Sequence, residues 1–258
     1  MKLSNPESAI SDYDAESISV RGLDLCADLI GNVNFADFFL LLLTGKQPTP
    51  MASRVLNATL VAIAEHGMTP SIQAARMTFA AAPDALQGAV AAGILGCGSV
   101  ILGASEVAGR LFAQIDAQMR EQKISVDQAS LEAVQRLHAE RKPIPGYGHP
   151  FHKIDPRVSR LFDVAAEAGA PHRFVDIARA VEAAIPDVLG KDLRLNVSAA
   201  IPAVLLDAGF PLEAIKGVPI LARVASLIAH LMEEKVRPIG FTLARIAGQA
   251  VTYSESPQ

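Results

Sequence analysis

Tryptophan is absent from the 258-residue chain, and the aromatic share is only 5%. Half of the residues are nevertheless hydrophobic. The apolar content is therefore mainly Ala, Leu, Ile and Val, which suits closely packed helices better than aromatic-rich strands. Cysteine is almost missing: Cys26 and Cys97 cannot build a disulfide framework or a zinc knuckle. No excess of basic charge exists either, with 23 Lys and Arg against 27 Asp and Glu, a formal net charge of −4. Nucleic acid, held by neutralising phosphates, is thus not an expected partner. The segment Met1–Ser11 lacks an apolar stretch and carries Glu7, so it does not read as a signal peptide. These exclusions leave a cytoplasmic enzyme or small-molecule-binding protein.

One uncharged run tests the membrane possibility. Gly88–Ser105 is 18 residues long and holds five glycines and four alanines, at the lower limit for a spanning helix. It has no aromatic anchors and no flanking Lys or Arg cluster. Small residues let helices approach closely, so the run is expected to be a buried helix in a core or dimer interface, with no membrane.

Helical patterning dominates elsewhere. Phe35–Leu43 is a dense apolar run between a candidate N-cap, Asn34, and a stop at Gly45. Further helices are expected over Met51–Glu65, from Pro70, over Glu106–Arg120, Val126–Arg141, Pro156–Ala168, Pro171–Leu189, Val197–Ala208 and Ile220–Glu234. No period-two alternation or Asn-Gly hairpin stands out, so the fold class is all-α. The exception to helix is Lys142–Pro156, KPIPGYGHPFHKIDP. Its prolines stiffen the backbone, while Gly146 and Gly148 allow close approach to a ligand. A stiff loop presenting His149, His152, Lys153 and, just beyond it, Arg157 is a candidate site, since loops carry function disproportionately.

At Pro145-Gly146-Tyr147-Gly148-His149 followed by Asp155-Pro156-Arg157, the sequence resembles the citrate synthase superfamily. Within it the chain is most similar to the short citryl-CoA lyases and to the lyase module of ATP-citrate lyase. The likeness extends from Arg21-Gly22-Leu23-Asp24 and Leu41-Leu42-Leu43-Thr44-Gly45 to Arg237-Pro238. It implies one citrate-synthase-like multi-helical domain over 1–258, a large helical part with a smaller helical subdomain near 106–190. It implies that His149 hydrogen-bonds the oxygen that is the carbonyl of oxaloacetate and the hydroxyl of citrate. It makes Arg157, Arg223 and Arg237 carboxylate ligands, with Arg237 reaching across from a partner subunit, and His66 a further substrate ligand. Arg141, Lys142, His152 and Lys153 fall where such proteins meet the phosphates of coenzyme A. The assembly implied is a homodimer or dimer of dimers.

Two departures accompany the likeness. The histidine that polarises the thioester carbonyl in synthases has no counterpart in Ile101-Leu102-Gly103-Ala104-Ser105. The aspartate that removes a proton from acetyl-CoA is replaced in Asn196-Val197-Ser198. Serine is no base near neutral pH without a partner, so the oxo-acid half of the site survives and the enolisation half does not; only rapid exchange of the acetyl-CoA methyl protons would point to Glu106 or Asp207 as a substitute base. Cleavage of citryl-CoA needs a base for the tertiary hydroxyl, which suits His149. It also needs guanidinium forks for several carboxylates and a donor for the enolate, for which Ser198, water or backbone N–H groups qualify. The scheme requires no metal and no tightly bound cofactor; coenzyme A enters as the thioester substrate and leaves in the product. A lyase or synthase acting on another 3-hydroxy-3-carboxyacyl-CoA, or a silent CoA- or tricarboxylate-binding homologue, are the alternatives.

Simpler roles exist for each residue. His66 could complement a helix C-terminus, Arg157 could be a surface ion-pair partner, and Ser198 could be a helix N-cap. His138 and His230 read as structural or solvated, and Cys97 as packing. Arg223 sits among Leu221, Val224 and Leu227, where an unpaired charge is expensive, so an anionic partner is expected, either a ligand or a buried carboxylate.

Overall fold

The computed structural model describes residues 7–98, 100, 102–148 and 153–254. Among them the chain forms α1 (Phe35–Thr44), α2 (Pro50–Ala64), α3 (Pro70–Ala81), α4 (Leu86–Leu95), α5 (Ala104–Gln122) and α6 (Val126–Ala139). After the candidate loop follow α7 (Pro156–Glu167), α8 (Arg173–Leu189), α9 (Val197–Asp207), α10 (Gly217–Val236) and α11 (Gly240–Ala250). The all-α expectation holds for the body of the molecule.

Local chemistry places the boundaries. Asn34 accepts the Asp37 N–H at 2.9 Å and caps α1, which stops at Gly45 in the left-handed region. Helices α2, α3 and α7 each open with proline in the first turn, where its missing N–H costs nothing. Helix α9 is apolar on nearly every side, with Ala199, Ala200, Ile201, Ala203, Val204 and Leu205 all buried. Such a helix can sit only at the centre, and α2, α5, α7 and α8 surround it. A second cluster joins α3, α4 and α10 through Ile72, Ala75, Phe79, Ala89, Leu227 and Leu231.

Three features depart from the sequence reading. A small antiparallel sheet precedes α1: β1 (Ser11–Tyr13), β2 (Ile18–Val20) and β3 (Leu23–Asp24). Its strands are too short to show alternation. The Asp14 carboxylate closes the first turn by accepting the Glu16 and Ser17 N–H groups at 2.8 and 2.7 Å. The Gly88–Ser105 run is not one helix, because α4 ends at Leu95 and α5 starts at Ala104. Gly96, Gly98 and Gly103 make continuation of the helix costly. Close packing of small residues survives in α4, where a Cβ on Gly93 would lie 2.5 Å from Leu227 Cδ2 of α10. Finally, α11 was not anticipated.

The stretch Leu212–Val236, which includes α10, holds a window of mean hydropathy 1.5 and meets the length and composition of a membrane-crossing helix. Its polar residues, however, are engaged by other elements: Arg223 with α2, and Glu233 and Glu234 with Arg76 of α3.

Candidate active site

The candidate loop is fastened to the N-terminus of α9. Tyr147 bridges Leu195 in antiparallel fashion, Gly148 N–H donates to the Arg194 carbonyl at 2.7 Å, and Asn196 N–H donates to the Gly146 carbonyl at 2.9 Å. This contact requires glycine at 146: φ is +86°, and a Cβ there would lie 2.5 Å from Ala199 Cβ and 2.8 Å from Ala199 N. The Tyr147 hydroxyl donates to the buried Ala178 carbonyl at 2.7 Å, and burial pushes the phenol pKa well up. Asn196 caps α9 by accepting the Ser198 N–H at 2.8 Å, while its amide nitrogen donates to the Gly148 carbonyl. Asn196, not Ser198, is thus the cap, and Ser198 stands half-buried in the first turn of α9. His149, His152 and Ile101 lie outside the described residues.

Asp155 draws loop, α7 and α9 together. Its side chain is 0% exposed and accepts from Arg157 Nε at 2.9 Å and Nη2 at 2.8 Å, a two-pronged fork. It also accepts the N–H groups of Arg157 at 3.1 Å and Val197 at 3.0 Å. Burial alone would raise its pKa, but the bonds from Arg157 and Val197 outweigh burial and hold it at about 2. Arg157 is therefore an oriented guanidinium rather than a free surface charge.

Arg223 differs in kind. It is 2% exposed on α10, and its Nε and Nη1 have no hydrogen-bond partner among the described residues. Nη2 faces the Ile63 carbonyl at 3.5 Å in the last turn of α2. Arg223 thus brings positive charge to that helix end. Burial lowers its pKa; the charges of Glu65 and Cys97 oppose that shift and the nearby charge of Arg157 adds to it. Two guanidinium groups thus act on each other, and one of them is buried without a carboxylate. Such an arrangement costs several kcal/mol, on the order of a broken buried pair, unless an anion arrives.

His66 is half-buried in the turn after α2, with its N–H held by Glu65 Oε1 at 2.9 Å. Arg237 is placed elsewhere: its side chain is 81% exposed at the end of α10. It follows Arg223 by 14 positions, about 21 Å along a helix at 1.5 Å per residue. The described residues of one chain therefore do not bring Arg237 to Arg157 and Arg223. Arg141, Lys142 and Lys153 are exposed, Lys142 pairing with Glu140 at 2.7 Å. The two substitute bases are committed to other partners. Glu106 pairs with Arg110 at 2.9 Å, and Asp207 caps α8 by accepting the Phe174 and Val175 N–H groups at 2.9 and 3.1 Å.

The sequence reading passed over two site carboxylates. Asp155 was visible as the acid two residues before Arg157, a spacing that fits a cap. Glu65 gave no signal, because its partners Ser226 and His230 are 161 and 165 residues away.

Comparison with known proteins follows the same lines. A family model described as citrate synthase, C-terminal domain, matches residues 8–245. The structure of citryl-CoA lyase from Hydrogenobacter thermophilus superposes with a TM-score of 0.84 at 35% identity, covering 99% of this chain and 96% of that one. ATP citrate lyase from Methanothrix soehngenii, in complex with citrate and coenzyme A, shares the fold with a TM-score of 0.80 at 24% identity, over 100% of this chain and 43% of that one. The citrate synthase of Deinococcus radiodurans is 30% identical over 218 residues, 83% of this chain and 55% of that protein. The chain spans about half the length of the curated citrate synthases it matches.

Proposed function

The chain belongs to the citrate synthase family, and from that premise we propose that it is a carbon–carbon lyase cleaving citryl-CoA to acetyl-CoA and oxaloacetate. The observation that carries this reading is Arg223, a buried guanidinium with two unpartnered nitrogens, under the field of Arg157. A substrate with several carboxylates supplies the missing charge: Arg223 offers its unpartnered nitrogens to one of them, and Arg157, whose fork is held by Asp155, adds oriented positive charge. The likeness to citryl-CoA lyase, at 35% identity over nearly the whole of both chains, supports the choice of lyase over synthase.

In this reading His149 takes the tertiary hydroxyl proton. The bond between the carbinol carbon and the thioester α-carbon breaks, its electron pair passes to the thioester enolate, and the hydroxyl carbon becomes the ketone of oxaloacetate. Protonation of the enolate carbon gives acetyl-CoA. At the N-terminus of α9 the first backbone N–H groups are committed: Val197 to Asp155, Ser198 to the Asn196 side chain and Ala199 to the Asn196 carbonyl. The Ser198 hydroxyl is then the donor that this helix end offers to the enolate, in the favourable field of the helix dipole. Arg141, Lys142 and Lys153 supply exposed positive charge for the phosphates of coenzyme A, which is part of the substrate.

The exposed Arg237, together with exposed Phe241, Ile246 and Val251 on and just beyond α11, supports a homodimer in which Arg237 completes the partner's site. Free thiols at Cys26 and Cys97 fit a cytoplasmic setting. Serine at position 198 favours, as second reading, a silent acyl-CoA or tricarboxylate binder. Incubation with a panel of 3-hydroxy-3-carboxyacyl-CoA thioesters, following oxaloacetate and acyl-CoA release, decides between them. Release from citryl-CoA ahead of its homologues supports the lyase; tight binding with no release from any member supports the silent binder.

A further inference from the structure

The turn carrying His66 is fastened to the helix carrying Arg223 by one side chain. Glu65 Oε1 accepts the N–H groups of His66 and Gly67 at 2.9 and 2.5 Å. Its Oε2 accepts the Ser226 hydroxyl and lies 3.0 Å from His230 Nε2. Ser226 and His230 follow Arg223 at helical spacings of three and seven residues, so the three share one face of α10. The tautomer of His230 follows from its other neighbour. Nδ1 faces Arg76 Nη1 at 3.5 Å, and a guanidinium only donates, so Nδ1 accepts and Nε2 donates to Glu65. Arg76 is itself buried, held by Glu234 at 2.6 Å and Glu233 at 2.9 Å, and donates to the Arg237 carbonyl at 2.9 Å. A continuous polar chain therefore runs from the His66 turn to the end of α10.

We propose that Glu65 is a positioning residue for the carbon–carbon cleavage. It sets the His66 turn against the Arg223 face of α10, and through His230 and Arg76 it ties that turn to the segment bearing Arg237. The inference rests on the reading of His66 and Arg223 as oxo-acid ligands. Two features separate this from a merely structural role. The Glu65 side chain is 50% exposed, so its bonds add little to the stability of the fold. Both of its oxygens are also occupied by other donors, so it favours the charged form of Arg223 without capturing Nε and Nη1. A direct ion pair would compete with the substrate.

The test uses full-length Glu65→Ala and Glu65→Gln, with Ser226→Ala as a variant that removes only an anchor on α10. Oxaloacetate-induced change in Tm is measured beside KM and kcat for citryl-CoA. Glu65→Ala is expected to keep the unliganded Tm, to lose most of the oxaloacetate shift and to raise KM roughly 10-fold or more, since small misplacements of binding groups are costly. Ser226→Ala should move KM the same way by less. In Glu65→Gln the side-chain oxygen still accepts from His66 and Gly67, so much of the ligand shift returns. A Glu65→Ala variant with lowered unliganded Tm but wild-type KM and ligand shift overturns the inference. So does Glu65→Gln behaving like Glu65→Ala. A wild type whose oxaloacetate shift depends on Glu65 yet which releases none from citryl-CoA sinks the lyase reading alone; a wild type with no oxaloacetate shift sinks both.

Discussion

Arg223 sets stability against function within one side chain. Desolvated, and with Nε and Nη1 unpartnered among the described residues, it costs the fold what, in the proposed reading, it returns on binding. Arg223→Met, similar in shape and without charge, is expected to raise the unliganded Tm and to abolish the oxaloacetate-induced shift. An unliganded Tm below wild type in thermal scans would mean that the guanidinium is already compensated. Two of the buried aspartates, Asp155 and Asp207, give opposite pH signatures. Asp155, held at about 2, contributes stability that is fully present above its unfolded value of about 4 and is lost as pH falls toward 2. Asp207 is pushed up to about 6, chiefly by burial, which outweighs the Phe174 and Val175 N–H bonds. The folded protein then keeps a proton that the unfolded chain releases, so stability declines as pH rises from about 4 to about 6. Urea midpoints across pH 4–7 should show this decline in wild type and a flatter profile in Asp207→Asn. An equal slope in both would assign the titration to another group.

At the scale of elements, the joint between the candidate loop and α9 is the most demanding contact. Gly146→Ala meets both a left-handed φ and the Ala199 backbone, whereas Gly148→Ala meets φ +81° with its nearest neighbour, Leu193 Cδ2, at 3.5 Å. Strain alone should cost Gly148→Ala about 1 kcal/mol, and clash plus strain should cost Gly146→Ala about 2 kcal/mol or more. Denaturant unfolding of the pair separates the two contributions, and equal losses would show that the clash relaxes. Helices with a cap and an apolar run between stops were legible in the sequence: Asn34 to Gly45, and Pro156 onward. The burial of Arg223 was legible too, from its apolar neighbours. What escaped depended on partners far along the chain or on elements too short to show a period. The two- and three-residue strands around Val20 belong to the second kind. The break after Leu95 did so differently: small, uncharged residues satisfy helix patterning while three glycines weaken the helix itself. The Glu65 network is of the first kind, since nothing near Glu65 announces Ser226 or His230.

On the scale of the whole molecule, α10 and α11 leave an apolar surface beside Arg237, the proposed third carboxylate ligand. Ile228, Met232, Val236, Phe241, Ile246 and Val251 are all exposed, and Arg237 lies at the junction of the two helices. Exposed apolar clusters of this kind mark association surfaces. A two-fold interface there would place each Arg237 against the other subunit, in accord with its distance from Arg223 within one chain. Phe241→Asp is then expected to shift sedimentation toward monomer and to remove activity while helical content persists. Complementation is the sharper test. Arg237→Ala and His149→Ala homodimers should each be inactive, but a mixed dimer carries both lesions in one site and none in the other. Random exchange makes about half of the dimers mixed, with one intact site of two, so activity should recover to roughly a quarter of wild type. Absence of recovery after demonstrated subunit exchange, or an Arg237→Ala chain as active as wild type, would place the third carboxylate ligand within the same subunit.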